Sequence, residues 1–193
     1  MYVAEPRHNL FELVNAAIVG GVDIIQWRDK RAVRPNAAQL LSRVRNQTRC
    51  RILLSLNSSG AIDHQVTQDN LQIPQSEIAR IASLKANNRL VGASVHSLST
   101  AKFAQHSGAD YLVVGSIFAT TSHPNRSPMG TEMLRRICGN VDIPVLAIGG
   151  ITWERVHECL SAGASGIAVR SAISLASNPL SVVQQLRHAL DNY

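Results

Sequence analysis

Two small-residue turns near the C-terminus have the residue types that bind phosphate. Gly149 and Gly150 follow one apolar run, and Arg170 and Ser171 end the next one. A backbone N–H group can approach an anion closely where no Cβ intervenes, and a guanidinium adds a permanent positive charge. We therefore expect these four residues to bind a phosphorylated small molecule, although a tight turn alone would also explain the glycine pair.

Cationic, amide and hydroxyl side chains follow most of the other apolar runs, whereas carboxylates are scarce there. Among the acids, only Asp29 and Glu77 stand at suitable positions. Such a set favours the binding of anions and polar heterocycles. It lacks the paired carboxylates of glycoside hydrolysis and the His/Cys clusters of zinc sites. The candidates are Gln26, Arg28, Lys30, Asn57, Ser58, Gln72, Ser94, His96, Thr120, Ser122 and His123.

Some of these candidates also have a simpler interpretation. Arg28 and Lys30 would suit a solvated loop equally well. Capping or packing after a strand explains His96 more simply than catalysis does. His123 lies in a loop rich in Thr, Ser, Pro and Asn. That composition is usual for a surface loop, yet loops on rigid scaffolds also carry function.

These side chains can meet only if the apolar runs are parallel strands whose carboxyl ends share one edge. Eight short runs rich in Val, Ile and Leu alternate with amphipathic stretches and show little polar alternation. Strands covered on both faces have this pattern, and repeated strand–helix alternation predicts a parallel sheet. The predicted strands are residues 2–4, 23–28, 52–57, 71–74, 90–95, 111–116, 145–149 and 166–171.

Eight such repeats predict an α/β fold, a (β/α)8 TIM barrel formed by residues 1–193 as a single domain. In this fold catalytic residues lie at the carboxyl ends of the strands, and the loops after strands 7 and 8 often bind phosphate. The residue types at four helix starts favour N-caps at Ser99, Thr131, Thr152 and Asn178. The predicted helices are residues 10–19, 37–44, 99–106, 131–138, 153–162 and 180–190, with a short one at most within 58–70.

Chain length, composition and net charge limit the kinds of fold and partner that fit this sequence. A chain of 193 residues leaves room for few insertions in a barrel, which typically takes about 250 residues. With 45% hydrophobic and 17% charged residues, the chain is globular. A net charge of +6 would suit nucleic acid, but the basic residues are scattered and aromatic residues make up only 4%. A small anionic metabolite explains the charge at least as well, so we do not expect nucleic acid as a partner.

Cysteine usage argues against a disulfide-stabilised or zinc-binding protein, and hydropathy argues against a membrane protein. Three widely spaced cysteines without a CxxC pair argue against a disulfide framework or a zinc site. Cys138 and Cys159 fall in helical patterns and are expected to be buried apolar fillers. No apolar run is long enough for a bilayer, and the first residues lack a signal-peptide pattern. We therefore expect a cytoplasmic location and no membrane partner.

An ordered set of motifs resembles the thiamine phosphate synthase family, which includes the TenI thiazole tautomerases. IQWRDK at 25–30 resembles the QxREK motif, and LLSLN at 53–57 resembles the third-strand asparagine motif. GASVHS at 92–97, ADYLVVGSIFATTSH at 109–123 and residues 143–152 follow in matching order. GASGIAVRSAI at 163–173 resembles the last-strand phosphate site. Residues 120–124 are most similar to TenI-like domains that are fused to Nudix hydrolases.

This resemblance implies a reaction and a set of roles. The family joins hydroxymethylpyrimidine diphosphate to thiazole phosphate and releases pyrophosphate, with basic residues and Mg²⁺ stabilising the leaving group. By matched position, Gln26, Arg28, Lys30 and Asn57 would face the diphosphate and pyrimidine, and Ser94 would lie beside the pyrimidine. The thiazole phosphate side would comprise Thr120, Ser122, Gly149, Gly150, Arg170 and Ser171. The predicted catalytic residues are Lys30, Ser94 and His123.

The sequence departs from the family pattern at the metal site and in one loop. Ser58 stands where the family has a magnesium-binding aspartate, which leaves Glu77 as the expected metal ligand. Loss of an acidic ligand weakens Mg²⁺ binding. His123 replaces a lysine, so a titratable group stands in place of a permanent cation. The TenI catalytic histidine is Ser116 here.

Synthase-like transfer is therefore the leading prediction for function. One alternative is a TenI-like thiazole tautomerase with His123 or His96 as the proton carrier. The other is a non-catalytic barrel that binds thiazole phosphate or a protein partner. The resemblance also leaves open a homo-oligomer and a Nudix hydrolase as a partner.

Overall fold

Eight parallel strands form the centre of the protein. The computed structural model describes residues 1–28, 51–55, 70–85, 89–122, 124 and 127–193, with 51–55 described as backbone only. Each strand pairs with the next one in the sequence, so the order is β1 to β8. The strands are β1 Tyr2–Ala4, β2 Ile24–Trp27, β3 Arg51–Ser55, β4 Asn70–Ile73, β5 Val91–Val95, β6 Tyr111–Gly115, β7 Val145–Ile148 and β8 Gly166–Ala168.

Hydrogen bonds join the last strand to the first. Val3 N donates to the carbonyl of Val169 at 2.8 Å, and Val169 N donates to the carbonyl of Met1 at 3.0 Å. Tyr2 and Val169 form a parallel bridge between the two strand ends. The sheet therefore closes on itself, which confirms the predicted (β/α)8 barrel.

Helices follow the strands in the described part of the chain. The α-helices are α1 Leu10–Val19, α2 Ile81–Leu84, α3 Leu98–His106, α4 Gly130–Cys138, α5 Val156–Ser161, α6 Ser171–Ser174 and α7 Pro179–Asp191. Single 3₁₀ segments at Gln75–Arg80 and Trp153–Arg155 precede α2 and α5. The predicted helix at 37–44 and most of the segment 58–70 lie outside the described residues.

The helix starts differ in part from the prediction. Ser97, not Ser99, caps α3: its hydroxyl accepts from Thr100 N, and the Thr100 hydroxyl accepts from Ser97 N in return. This capping box moves the helix start toward the N-terminus because it satisfies two amide groups at once. Thr131 lies inside α4, whose N-cap position is Met129. Asn178 caps α7 as predicted, with its side chain accepting from Ser181 N.

The last strand is shorter than its apolar pattern predicted. β8 ends at Ala168, and Arg170 adopts φ −127° and ψ −79°, which leaves the extended region. Ser174 N donates to the carbonyl of Arg170 at 3.0 Å, so a helical turn begins where the strand was expected to continue. Arg170 therefore stands at the rim of the barrel and not within its wall.

Alternate residues along the strands face different layers. Ala4, Ile25 and Ala147 pack in the layer between the strands and the helices, together with residues such as Leu13 and Leu134. The other alternate positions pack in a second cluster, which includes Tyr111, Val113, Ala168, Ile24 and Ile148 and fills the barrel interior. Side chains of the same alternation at the strand ends therefore open onto the barrel mouth.

A missing side chain at Gly92 makes room in the interior. A Cβ at Gly92 would overlap the ring of Tyr111 and lie 2.5 Å from Oε1 of Gln72. Gly92 therefore leaves room for the tyrosine ring beside Gln72. Burial raises the pKa of the Tyr111 phenol above its ordinary value, so Tyr111 is neutral at physiological pH.

No helix in the described part of the chain is long and apolar enough to cross a bilayer.

The two described cysteines, Cys138 and Cys159, are free thiols. Cys159 is fully buried between α5 and its neighbours, as predicted, whereas Cys138 is only partly buried. Burial raises the pKa of the Cys159 thiol to about 11. Because only the thiolate reacts readily, Cys159 should be nearly inert near neutral pH.

We expect iodoacetamide at pH 8 to modify native Cys159 more slowly than urea-unfolded Cys159, by about two orders of magnitude or more. Mass spectrometry of the Cys159 peptide over time measures both rates. Cys138, being partly exposed, provides an internal comparison and should react faster in the native protein. Equal rates for Cys159 in native and unfolded protein would contradict its burial.

Candidate functional site

Three charged side chains from adjacent strands meet at the barrel mouth. Glu5 directly follows β1, Arg28 directly follows β2, and Arg170 lies two residues after the end of β8. These three strands are neighbours in the closed sheet. Nη1 of Arg28 donates to Oε1 of Glu5. Nη1 of Arg170 donates to the same Oε1 at 3.1 Å and to Oε2 at 3.2 Å. One carboxylate therefore bridges two guanidinium groups.

The three side chains remain open to solvent. Their exposed fractions are 34% for Glu5, 29% for Arg28 and 30% for Arg170. A ligand in the barrel mouth can therefore reach the guanidinium groups, and water screens the ion pairs only in part.

The loop after β6 supplies a hydroxyl to this group. Nη2 of Arg170 donates to Oγ of Ser122 at 2.5 Å, so the arginine reaches across β7 to the β6 loop. Ser122 N in turn donates to the Thr120 hydroxyl at 3.3 Å. The structure thus brings together Arg28, Arg170, Ser122 and Thr120, four residues that the sequence placed on the substrate side.

Buried amides lie below the rim. Gln72 is only 2% exposed, and its Nε2 donates to Oγ of Ser94 at 3.0 Å. Oε1 of Gln72 is buried without a hydrogen-bond partner. Gln26, on β2, is buried as well. Because Ser94 accepts from the amide of Gln72, its own hydroxyl proton is directed to another acceptor.

The glycine pair after β7 packs against the β6 loop. Gly149 and Gly150 have φ values of 100° and 66°, which side-chain-bearing residues rarely adopt. A Cβ on Gly149 would lie 2.5 Å from Cβ of Ser116, and one on Gly150 would overlap the carbonyl oxygen of Ala119. The pair is thus required for loop packing, in addition to any contact with an anion.

Further contacts hold this end of the barrel. Arg155 donates from Nη1 to the carbonyl of Gly150 at 2.7 Å and stacks 4.7 Å from the ring centre of Phe118. Ser171 is the first residue of α6 and is partly buried. Nη1 of Arg7 donates to the carbonyl of Ser174, which ties the β1–α1 loop to the end of α6. The loops after β7 and β8 are therefore anchored from both sides.

The remaining predicted residues lie apart from the rim group or outside the described chain. Glu77 pairs with Arg80 at 2.8 Å within the same 3₁₀ segment. His96 is exposed, and its Nδ1 lies 2.5 Å from the carbonyl oxygen of Gly115. Residues 29–50, 56–69 and 123 are not described, and Lys30, Asn57 and His123 fall within these ranges.

Sequence reasoning missed Glu5. Only Asp29 and Glu77 were expected among the acids at strand ends, yet Glu5 holds both arginines. The signal was present, because Glu5 directly follows the predicted strand at residues 2–4. Its importance depends on β8 returning beside β1, which no local pattern reveals.

Comparison with known proteins identifies the relatives of this chain. The family model described as thiamine monophosphate synthase matches residues 1–173. A thiamine-phosphate synthase from Chloroflexus aurantiacus is 38% identical over 178 residues, which cover 91% of this chain and 82% of that protein.

Solved structures agree with these sequence matches. A thiamine phosphate pyrophosphorylase from Pyrococcus furiosus superimposes with a TM-score of 0.81 and 32% identity, covering 99% of this chain and 95% of the other. A 3-hexulose-6-phosphate synthase gives a TM-score of 0.75 at 17% identity, with 98% of each chain covered. At that identity the second match supports the fold alone.

Glu5→Gln should lower the free energy of unfolding by about 1 kcal/mol, because two half-exposed guanidinium groups lose their shared carboxylate. Urea unfolding of the ligand-free protein at low ionic strength measures the change. Glu132→Gln is the control, since Glu132 pairs with Arg135 on the exposed face of α4. A loss for Glu5→Gln no larger than for this control would count against the bridge.

Gly150→Ala should destabilise the fold more than Gly130→Ala. Both glycines have positive φ, at 66° and 74°, but a Cβ meets the Ala119 carbonyl only at Gly150 and finds open space at Gly130. We expect a loss of about 1 kcal/mol at Gly130 from strain alone and about 2 to 4 kcal/mol at Gly150 from strain and overlap together. Chemical unfolding of both variants measures the difference, and equal losses would refute the packing role.

Proposed function

The chain belongs to the thiamine monophosphate synthase family, and we propose that it joins hydroxymethylpyrimidine diphosphate to thiazole phosphate with release of pyrophosphate. The observation that carries this proposal is the pair of arginines, Arg28 and Arg170, at the carboxyl ends of β2 and β8. Arg170 also contacts the Ser122 hydroxyl of the β6 loop, and that loop packs against the glycine turn after β7. A rim with these donors suits anionic, phosphorylated substrates.

The reaction requires little covalent chemistry from the protein. The bond between the pyrimidine methylene carbon and the diphosphate oxygen breaks, and its electron pair leaves with the diphosphate. The lone pair of the thiazole nitrogen then forms the new carbon–nitrogen bond to the same methylene carbon. No proton transfer is needed to balance these steps, so the main tasks are positioning and stabilisation of the leaving charge.

Arg28 is the described residue best placed to stabilise the leaving diphosphate. It follows β2 directly, and the family resemblance matches it to the diphosphate side. A guanidinium remains charged at all physiological pH values and offers several donors in one plane. Lys30, which the resemblance places on the same side, stays a prediction because it falls outside the described residues.

The pyrimidine would bind over the buried amides. Ser94 is held by Gln72 at 3.0 Å, so its hydroxyl proton can be directed to a ring nitrogen. Gln26 lies on β2 with the same alternation as Arg28 and would meet the ring from another side. A ring with several nitrogen acceptors fits an interior lined by such donors.

The thiazole phosphate would bind toward β7 and β8. Gly149 and Gly150 place no side chain of their own over the backbone of the β7 loop, and Ser171 begins the short helix that follows β8. Thr120 and Ser122 add hydroxyls from the β6 loop. The loops after strands 7 and 8 often bind phosphate in this fold, which supports this assignment.

The described residues do not make a magnesium site. The carboxylate of Glu77 is engaged by Arg80, and the described part of the chain contains no group of three His, Cys, Asp or Glu side chains around one point. Magnesium prefers several oxygen ligands in octahedral geometry.

The direct test is to incubate the protein with both precursors, with and without added Mg²⁺, and to measure thiamine phosphate. We expect product formation under at least one of the two conditions. If no product forms while thiazole phosphate still binds by calorimetry, the synthase proposal fails. Isomerisation of the thiazole carboxylate would then indicate a tautomerase, and its absence would indicate a binding protein.

Ser94→Ala should lower kcat/KM for the pyrimidine substrate by about tenfold, through loss of one hydrogen bond in the site. The KM for thiazole phosphate should change much less. Ser83→Ala is the matched control, because the Ser83 hydroxyl lies on the exposed face of α2 and donates only to the Arg80 carbonyl. An unchanged pyrimidine kcat/KM in Ser94→Ala would remove Ser94 from the proposed site.

A further inference from the structure

We propose that Arg28 and Arg170 act as one pair that binds the leaving diphosphate, and that Glu5 is the positioning residue of this pair. The choice of a diphosphate as the ligand rests on the proposed function. The pairing itself rests on the geometry of the rim, where both guanidinium groups share one carboxylate oxygen.

The two arginines are close enough to bind a single ligand. Each Nη1 lies within hydrogen-bonding distance of Oε1 of Glu5. Two donors on one acceptor atom are at most about 6 Å apart, which is twice the length of a hydrogen bond. A diphosphate carries two linked phosphoryl groups whose oxygens extend over a comparable distance. Two separate phosphorylated substrates would need cations further apart.

Glu5 explains how two cations stay together before any ligand binds. Guanidinium groups at this distance repel each other, and a carboxylate between them adds two attractions that offset the repulsion. The order of the closed barrel places Glu5 between its partners, because β1 lies between β8 and β2. The local charge is then +1 from three groups, so the pair still attracts a polyanion.

Ser122 fixes the outer arginine from the opposite side. Arg170 contacts Glu5 through Nη1 and Ser122 through Nη2, so its planar group is held at both ends. A lysine could not make this fork, because its ammonium is a single point. The family resemblance matches Arg170 to the thiazole phosphate alone. In the structure, however, Arg170 binds Glu5, which also binds Arg28, so Arg170 lies beside Arg28.

The test measures binding of inorganic pyrophosphate by calorimetry, so it does not depend on turnover or on the proposed reaction. Arg28→Gln and Arg170→Gln should each weaken pyrophosphate binding by about tenfold or more. The double variant should weaken pyrophosphate binding by clearly less than the product of the two single fold-changes, because both groups hold one ligand. Arg170→Lys should recover only part of the affinity.

Arg135→Gln, which removes an exposed arginine on α4, is the control and should leave the dissociation constant unchanged. The proposal is overturned if Arg170→Gln leaves pyrophosphate affinity within twofold of the original while weakening thiazole phosphate. A loss of pyrophosphate affinity in the double variant that equals the product of the two single losses would also overturn the proposal. Circular dichroism of each variant establishes folding, and Arg170→Lys provides the same comparison if the glutamine variant does not fold.

The positioning role of Glu5 has its own readout. In a Glu5→Gln background, the same two arginine substitutions should become more nearly multiplicative in their effect on pyrophosphate binding, because the guanidinium groups are no longer held together. A general loss of stability would not change this coupling. An unchanged coupling between Arg28 and Arg170 would remove Glu5 from the proposal.

Discussion

Closure of the barrel between β8 and β1 is the constraint on which the site depends. Two hydrogen bonds at Val169 join the last strand to the first, although the two strands are separated by almost the whole chain. Because of that closure, the residues that follow β8, β1 and β2 stand next to one another at the rim. The bridge from Glu5 to Arg28 and Arg170 is a direct consequence. An open sheet would place Arg170 at one edge, far from Arg28.

Close packing of loops provides the second constraint. The β6 loop and the β7 turn approach so closely that Gly149 and Gly150 leave no room for a Cβ. The same approach brings Ser122 within reach of Arg170. The sequence associated this glycine pair with an anion. In the structure the pair allows the two loops to pack closely, and this packing supports the loop that carries the Ser122 hydroxyl.

Much of the architecture could be predicted because each element carries its own local signal. All eight strands lie within about three residues of their predicted ends, and α1 has the predicted bounds. The predicted ends of helices and strands are wrong where a local sequence pattern competes with hydrogen bonding. Ser97 replaces Ser99 as the cap of α3 because two reciprocal bonds form there. The apolar pattern through Ser171 indicated a longer β8, but a helical turn starts at Arg170.

The sequence by itself determined the order of strands and helices, the class of fold and the residue types at the barrel mouth, because periodicity and composition act over a few residues. It also placed Gln26, Arg28, Ser94, Thr120, Ser122, Arg170 and the glycine pair among the candidates. Only the tertiary structure decided which of them touch. Glu5 became the partner of two arginines, and Gln72 the partner of Ser94. Both pairings depend on distances between separate strands, and the closed barrel sets those distances.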